Sequence, residues 1–137
     1  MSDWVLLLGG STGHGAATAK RLAKEGYGII AFHFDRGDAK KIAEETIAEV
    51  KAITKDRCYY FNTNAASEDT MDKYMPQIKE ITSGKPIKLL LHSIAFGTTT
   101  NFFGEKPVTQ RQMDMTVHVM GNSLLYWTQK LYHEKLL

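Results

Sequence analysis

A single cysteine, Cys58, stands among 137 residues, so the chain can form neither an internal disulfide nor a multi-cysteine metal site. That usage suits a reducing compartment, and Cys58 reads as a small buried strand residue rather than a reactive thiol. Long hydrophobic stretches are also missing, since no apolar run approaches the roughly 20 residues that span a bilayer. The start, Met1-Ser2-Asp3-Trp4, lacks the charged and apolar segments of a secretory signal. Together these absences point to a cytoplasmic protein with no membrane partner. Charge of one sign is scarce: 17 basic against 15 acidic side chains leave a net +2, without a clustered Lys/Arg stripe, and nucleic acid is not an expected partner. The histidines, His14, His33, His92, His118 and His133, show no HxxxH or HExxH spacing, so no metal site is expected. A Gly-x-Ser-x-Gly nucleophile elbow is absent too. What remains, 43% hydrophobic and 23% charged without repeat or linker, is the composition of one soluble globular domain over residues 1–137.

Four short apolar runs recur: Trp4 to Leu8, Gly28 to Phe34, Cys58 to Asn62 and Ile87 to Ser93. They are nearly continuous and not cleanly alternating, which suits strands buried on both faces. Helical spacing fills the gaps. Over Asp38 to Lys55, with Asp38 as N-cap, Ile42, Ala43, Ile47, Val50 and Ile53 form one stripe. Glu68 to Ser83 repeats the pattern with Met71, Met75, Ile78 and Ile81, Pro76 being a point where the helix would bend. A loop rich in Thr, Gly and Phe (Gly97 to Pro107) precedes a final helix from Thr109 onward. Strand and helix alternate from the start, and parallel neighbours need a crossover. The expected architecture is therefore a doubly wound α/β sheet of parallel strands, ordered 3-2-1-4.

The most informative stretch is Leu8-Gly9-Gly10-Ser11-Thr12-Gly13-His14-Gly15-Ala16, a glycine cluster that leaves a strand and opens a helix. Gly9 lets the chain turn off the strand, Gly13 lets a backbone approach a pyrophosphate, and Gly15 lets the helix pack closely. Free N–H groups at the helix start, with the macrodipole behind them, would face phosphates. The spacing is Gly-x3-Gly-x-Gly, not the Gly-x-Gly-x2-Gly of the usual dinucleotide fingerprint.

This loop resembles the fingerprint Thr-Gly-x3-Gly-x-Gly of the short-chain dehydrogenase/reductase superfamily, with Leu8 where the family usually has Thr. A second match lies on the fourth strand, His92-Ser93-Ile94-Ala95-Phe96-Gly97, which is similar to the enoyl-acyl-carrier-protein reductase branch; most members carry Asn-Asn-Ala-Gly there. The resemblance covers essentially the whole chain. It implies a Rossmann-type fold and a nicotinamide cofactor held by Gly9, Ser11, Thr12, Gly13, His14 and Gly15, with Asn64 and Ala65 beside the adenine. Ser93, Ile94 and Ala95 would lie along the cofactor, and Phe96 near the nicotinamide and the acyl substrate. Where the family closes its second strand with an acid that selects NADH, this sequence has His33. The turn His33-Phe34-Asp35-Arg36 resembles NADPH-preferring members, and Arg36 could pair with a 2'-phosphate. NADPH is therefore expected over NADH, unless Asp35 rather than His33 points at the ribose.

The family's catalytic Tyr and Lys follow a fifth strand, and neither that strand nor the pair follows Leu137, so no catalytic residue is assigned. Tyr126-Trp127-Thr128-Gln129-Lys130 satisfies Tyr-x3-Lys formally but reads as an i, i+4 pair on a helix surface. Leu124, Trp127 and Leu131 form a packing stripe, and because the corresponding helix helps build the dimer interface in this family, the stripe could also face a partner chain. The resulting expectation is the N-terminal half of an NAD(P)H-dependent oxidoreductase, acting on a small acyl thioester in fatty acid synthesis and homo-oligomeric when complete. Alternatives are a ketone or aldehyde reductase of the same superfamily, a non-catalytic dinucleotide-binding module, and a flavodoxin-like domain.

Overall fold

A computed structural model describes residues 3–137; Met1 and Ser2, part of the start read for a targeting signal, lie outside the described residues. Four parallel strands, β1 (Trp4–Leu8), β2 (Gly28–His33), β3 (Cys58–Asn62) and β4 (Leu89–His92), pair in the order β3-β2-β1-β4. The expected order is thus the observed one. The strand limits differ only at β2, which stops before Phe34, and at β4, which is shorter at both ends. Among the described residues no helix is long and apolar enough to cross a membrane.

The pleat of β1 explains why the runs do not alternate. Val5 and Leu7 face one way and pack with Ala19, Ala23, Ile29, Ala31, Val50 and Cys58, under α1 (Gly13–Lys24) and α2 (Asp38–Thr54). Leu6 and Leu8 face the other way, with Ile30, Phe32, Met71, Ile78, Trp127 and Leu131, under α3 (Glu68–Ile81) and α5 (Ser123–His133). A strand covered on both faces needs apolar residues at every position, and β1 and the Gly28 to Phe32 part of β2 have them. Cys58 is buried in the first layer, and desolvation raises its thiol pKa.

Three local expectations are corrected. Asp38 is the first residue of α2 and not its cap; Gly37, at φ +58°, takes the cap position, and Asp38 instead complements the helix dipole from the first turn. The buried stripe of α2 runs Ala43, Thr46, Val50 and Thr54. Ile42, about 100° round the helix from Ala43, is 56% exposed. The final helix is not uniform. It comprises α4 (Gln110–Val117), a π-helical turn over His118–Asn122, and α5. Thr109 caps α4 reciprocally with Gln112, the Thr-x-x-Gln form of the capping box. Meanwhile α3 runs through Pro76.

The π turn has a visible cause. The Ser123 N–H donates to the His118 carbonyl five residues back, which leaves the Val119 carbonyl without its regular helical partner. The Ser123 hydroxyl donates to that carbonyl at 2.7 Å and accepts from His92 Nε2 at 2.8 Å, tying the helix to the end of β4. Burial holds the His92 pKa below the ordinary imidazole value of 6.5.

Candidate functional site

The strand order reverses between β1 and β4, and a crevice opens there at the carboxyl ends of the strands, where open α/β sheets take their ligands. A cavity of about 360 Å³ fills it. Each strand contributes through the residues just beyond its end: Gly9, Ser11 and Thr12 after β1, Phe34 and Asp35 after β2, Thr63 to Ser67 after β3, and Ser93 to Phe96 after β4. From the last helix come Met115, His118 and Val119. A larger groove, about 620 Å³, runs between α3 and α5 far from the strand ends. Its charges answer one another across the two helices, Lys130 with Asp72 at 2.7 Å and Lys79 with Glu134 at 3.5 Å, so it presents few free polar groups.

The glycine loop has the tight construction that a phosphate cradle requires. Gly9 sits at φ +91°, and a Cβ there would strike the Ser93 carbonyl. A Cβ on Gly15 would strike the Gly9 carbonyl, so helix α1 docks on the turn itself as well as on the sheet. Space above Gly13 is open. The N-cap Thr12 makes no side-chain cap, and the first turn of α1 holds no acidic residue. Its leading N–H groups, which no helix can satisfy internally, and the Thr12 hydroxyl are thus left for an anion.

The end of β2 brings His33 and Asp35 together in the cleft wall. His33 is buried, and its Nδ1–H donates to Asp35 Oδ2 at 2.8 Å. Ser11 of the glycine loop donates to the same oxygen at 2.6 Å. Asn62 clamps the Asp35 backbone on both sides, its Oδ1 accepting from the Asp35 N–H and its Nδ2 donating to the Asp35 carbonyl, each at 3.0 Å. Asp35 is thereby fixed in the cleft wall, with Oδ1 outside these bonds. Arg36 does not line the cleft; it is exposed, and its guanidinium stacks 4.6 Å from the ring centroid of Phe34, which does.

Of the residues singled out in the sequence, Gly9, Ser11, Thr12, His33, Asn64, Ala65, Ser93, Ile94, Ala95 and Phe96 come together around this cavity. Gly13, His14 and Gly15 stand behind it in the first turn of α1, and Arg36 stands outside. Sequence reasoning missed Ala66, Met115, His118 and Val119, none of which carries a local motif. Tyr126 and Lys130 lie within α5 as expected and do not line the cleft, although the Tyr126 ring centroid is 6.0 Å from that of His118, which does. The Lys130 ammonium reaches α3, and its bond to Asp72 raises its pKa. Of the Leu124, Trp127 and Leu131 packing stripe, Trp127 and Leu131 pack in the protein's own core, and Leu124 is the one substantially exposed, at 40%. Among the described residues no three His, Cys, Asp or Glu side chains cluster as metal ligands do.

A family model described as short chain dehydrogenase matches residues 3–135. No curated protein sequence matches the chain. Solved structures match it in fold. Levodione reductase superposes with a TM-score of 0.79 at 20% identity, over 99% of this chain and 49% of that one. A short-chain dehydrogenase/reductase from Serratia marcescens gives 0.76 at 20% identity, over 96% and 50%. A short chain dehydrogenase from Bacillus anthracis gives 0.71 at 21%, over 98% and 53%. The chain therefore spans about half the length of these solved structures.

Proposed function

The chain belongs to the short-chain dehydrogenase family, and from that premise we propose that it forms the dinucleotide-binding half of an oxidoreductase that reduces the double bond of 2-enoyl thioesters. The observation that carries the reading is the cleft at the strand-order reversal, with a glycine turn and an uncapped helix start on one wall and the His92 to Phe96 segment on the other. The residues present fit the family's cofactor, NAD(P)H. A diphosphate would meet the Thr12 hydroxyl and the first N–H groups of α1, and a ribose diol would meet Asp35 Oδ1. When bound, a reduced nicotinamide supplies hydride. Ser93, Ile94, Ala95 and Phe96 form the far wall, and Ile94, Phe96, Met115 and Val119 make that end apolar, which suits an acyl chain. A general acid with its lysine is not among the cleft residues, so we assign protonation of the enolate to groups outside these 137 residues.

For the cofactor we propose NADH, against the NADPH preference expected from His33 and Arg36. In its support, a carboxylate locked by Ser11 and His33 occupies the position from which a 2'-phosphate would be repelled, while Arg36 faces away along Phe34. The whole protein would act in the cytoplasm and self-associate. Met113, Val117, Met120 and Leu124, a partly exposed row on the last helix, support self-association.

The test measures binding and turnover separately. Calorimetric titration of the chain with NADH and NADPH should show binding, tighter for NADH. The full-length protein should oxidise NADH with a crotonyl thioester faster than with a ketone. Preference for the ketone would move the assignment to carbonyl reduction, and binding without turnover of either would leave a non-catalytic module.

A further inference from the structure

Tyr60, the third residue of β3, does not line the cleft, yet it reaches the glycine turn from behind. Its ring packs against the first apolar layer and meets the His33 ring edge-on, the centroids 6.0 Å apart. Its hydroxyl lies 3.1 Å from the Gly10 carbonyl, 50 positions away in sequence. A carbonyl can only accept, so the phenol donates. Burial raises the phenol's pKa above its ordinary value of 10.0, which keeps that proton in place. The approach also needs glycine at position 10: a Cβ there would strike that of Ala31 at 2.8 Å and meet the Tyr60 ring at 3.6 Å.

The Gly10 carbonyl shares its peptide unit with the Ser11 N–H. In a planar trans peptide the two point in opposite directions, so a bond that fixes the carbonyl fixes the N–H as well. Tyr60 holds the carbonyl on the side of the first layer, and the Ser11 N–H is thereby turned away from it. Ser11 lines the cleft and is only 4% exposed, and its hydroxyl is spent on Asp35. The two amides before it, those of Gly9 and Gly10, both donate to the Phe32 carbonyl, at 2.9 and 3.1 Å. Among the described residues the Ser11 N–H has no such acceptor. Buried N–H groups are almost always paired, and this one is left for a ligand.

We propose that Tyr60 is a positioning residue of the glycine turn: by holding the Gly10 carbonyl beneath the turn, it aims the Ser11 N–H into the cleft as a donor to an anionic oxygen of the cofactor's diphosphate. This role rests on the reading of the cleft as a dinucleotide site. Tyr60 itself touches no part of the ligand. It orders the turn before the cofactor arrives, so that less freedom is lost on binding.

Tyr60→Phe keeps the half-buried ring under the turn and removes only the hydroxyl. Calorimetry on the chain should show the variant binding NADH about tenfold more weakly, the worth of about one hydrogen bond. Binding of adenosine, which has no phosphate, should be unchanged. In NMR spectra of the isotope-labelled chain, the Ser11 amide proton should move downfield when wild type binds NADH, and by less than half as much in Tyr60→Phe. A role in packing alone would lower the melting temperature and weaken NADH and adenosine by the same factor. The proposal is overturned if Tyr60→Phe binds NADH as wild type does, if it loses adenosine equally, or if the Ser11 proton of wild type does not move on binding. Failure of wild type to bind NADH at all would instead remove the cofactor reading itself.

Discussion

Asp35 is the carboxylate on which the proposed cofactor preference turns. By family position, the residue expected at the ribose is His33, but His33 is buried and spends its Nδ1–H on Asp35, whose backbone Asn62 holds from both sides. Asp35→Ser should therefore weaken NADH binding and strengthen NADPH binding, each about tenfold, by removing an acceptor for the diol and a like charge beside the phosphate. Arg36→Ala should change neither; loss of NADPH affinity in that variant would return the preference to Arg36. Both readings of this turn were present in the sequence, because Asp35 lies two residues past His33. Choosing between them required knowing which side chain was satisfied internally, and that depends on Ser11, 24 positions away. His118 was less legible still. Nothing in its local sequence marks it, since its partner carbonyl, that of Ala66, belongs to a distant loop.

At the scale of elements, the strands and the glycine turn were readable because they rest on local rules: apolar continuity, glycine at a turn, helix after strand. Gly13→Asn tests the turn. Asn tolerates the positive φ of +54° while its side chain enters the open space above the loop. NADH affinity should fall about tenfold or more while stability stays within about 0.5 kcal/mol of wild type, as thermal melting would show; unchanged affinity would place the phosphates elsewhere. The π turn was not readable, because it depends on a bond between β4 and α5, His92 to Ser123. That contact has a signature in pH. Burial lowers the His92 pKa in the folded state, so the unfolded chain binds the proton more readily. The contribution of neutral His92 is complete above about 6.5 and is lost as pH falls through the depressed value. Melting temperature should accordingly drop on acidification below pH 6.5, and less so in His92→Gln. Identical pH profiles for the two proteins would show that His92 does not govern the helix contact.

For the molecule as a whole, the chain supplies two apolar layers and a cleft at the strand ends, while no Tyr/Lys pair lines that cleft among the described residues. Both faces of the central strands β1 and β2 are covered by the chain's own helices, and Trp127, Phe32 and Leu6 close the layer beneath the cleft. Binding and catalysis are therefore expected to separate. The 137-residue chain should bind NADH and yet show no detectable oxidation of it with a crotonyl thioester. The one Tyr-x3-Lys sequence offers no rescue, because Lys130 is engaged by Asp72 on α3 and Tyr126 lies outside the cleft wall. A positioned general acid contributes about 10²- to 10⁴-fold, and without one beside the acceptor the remaining rate is expected to vanish into background. Steady-state absorbance at saturating NADH measures this directly, with Tyr126→Phe as the control. Turnover by the chain that disappears in that variant would mean that α5 reaches the cleft in solution, and that the acid lies within these residues after all.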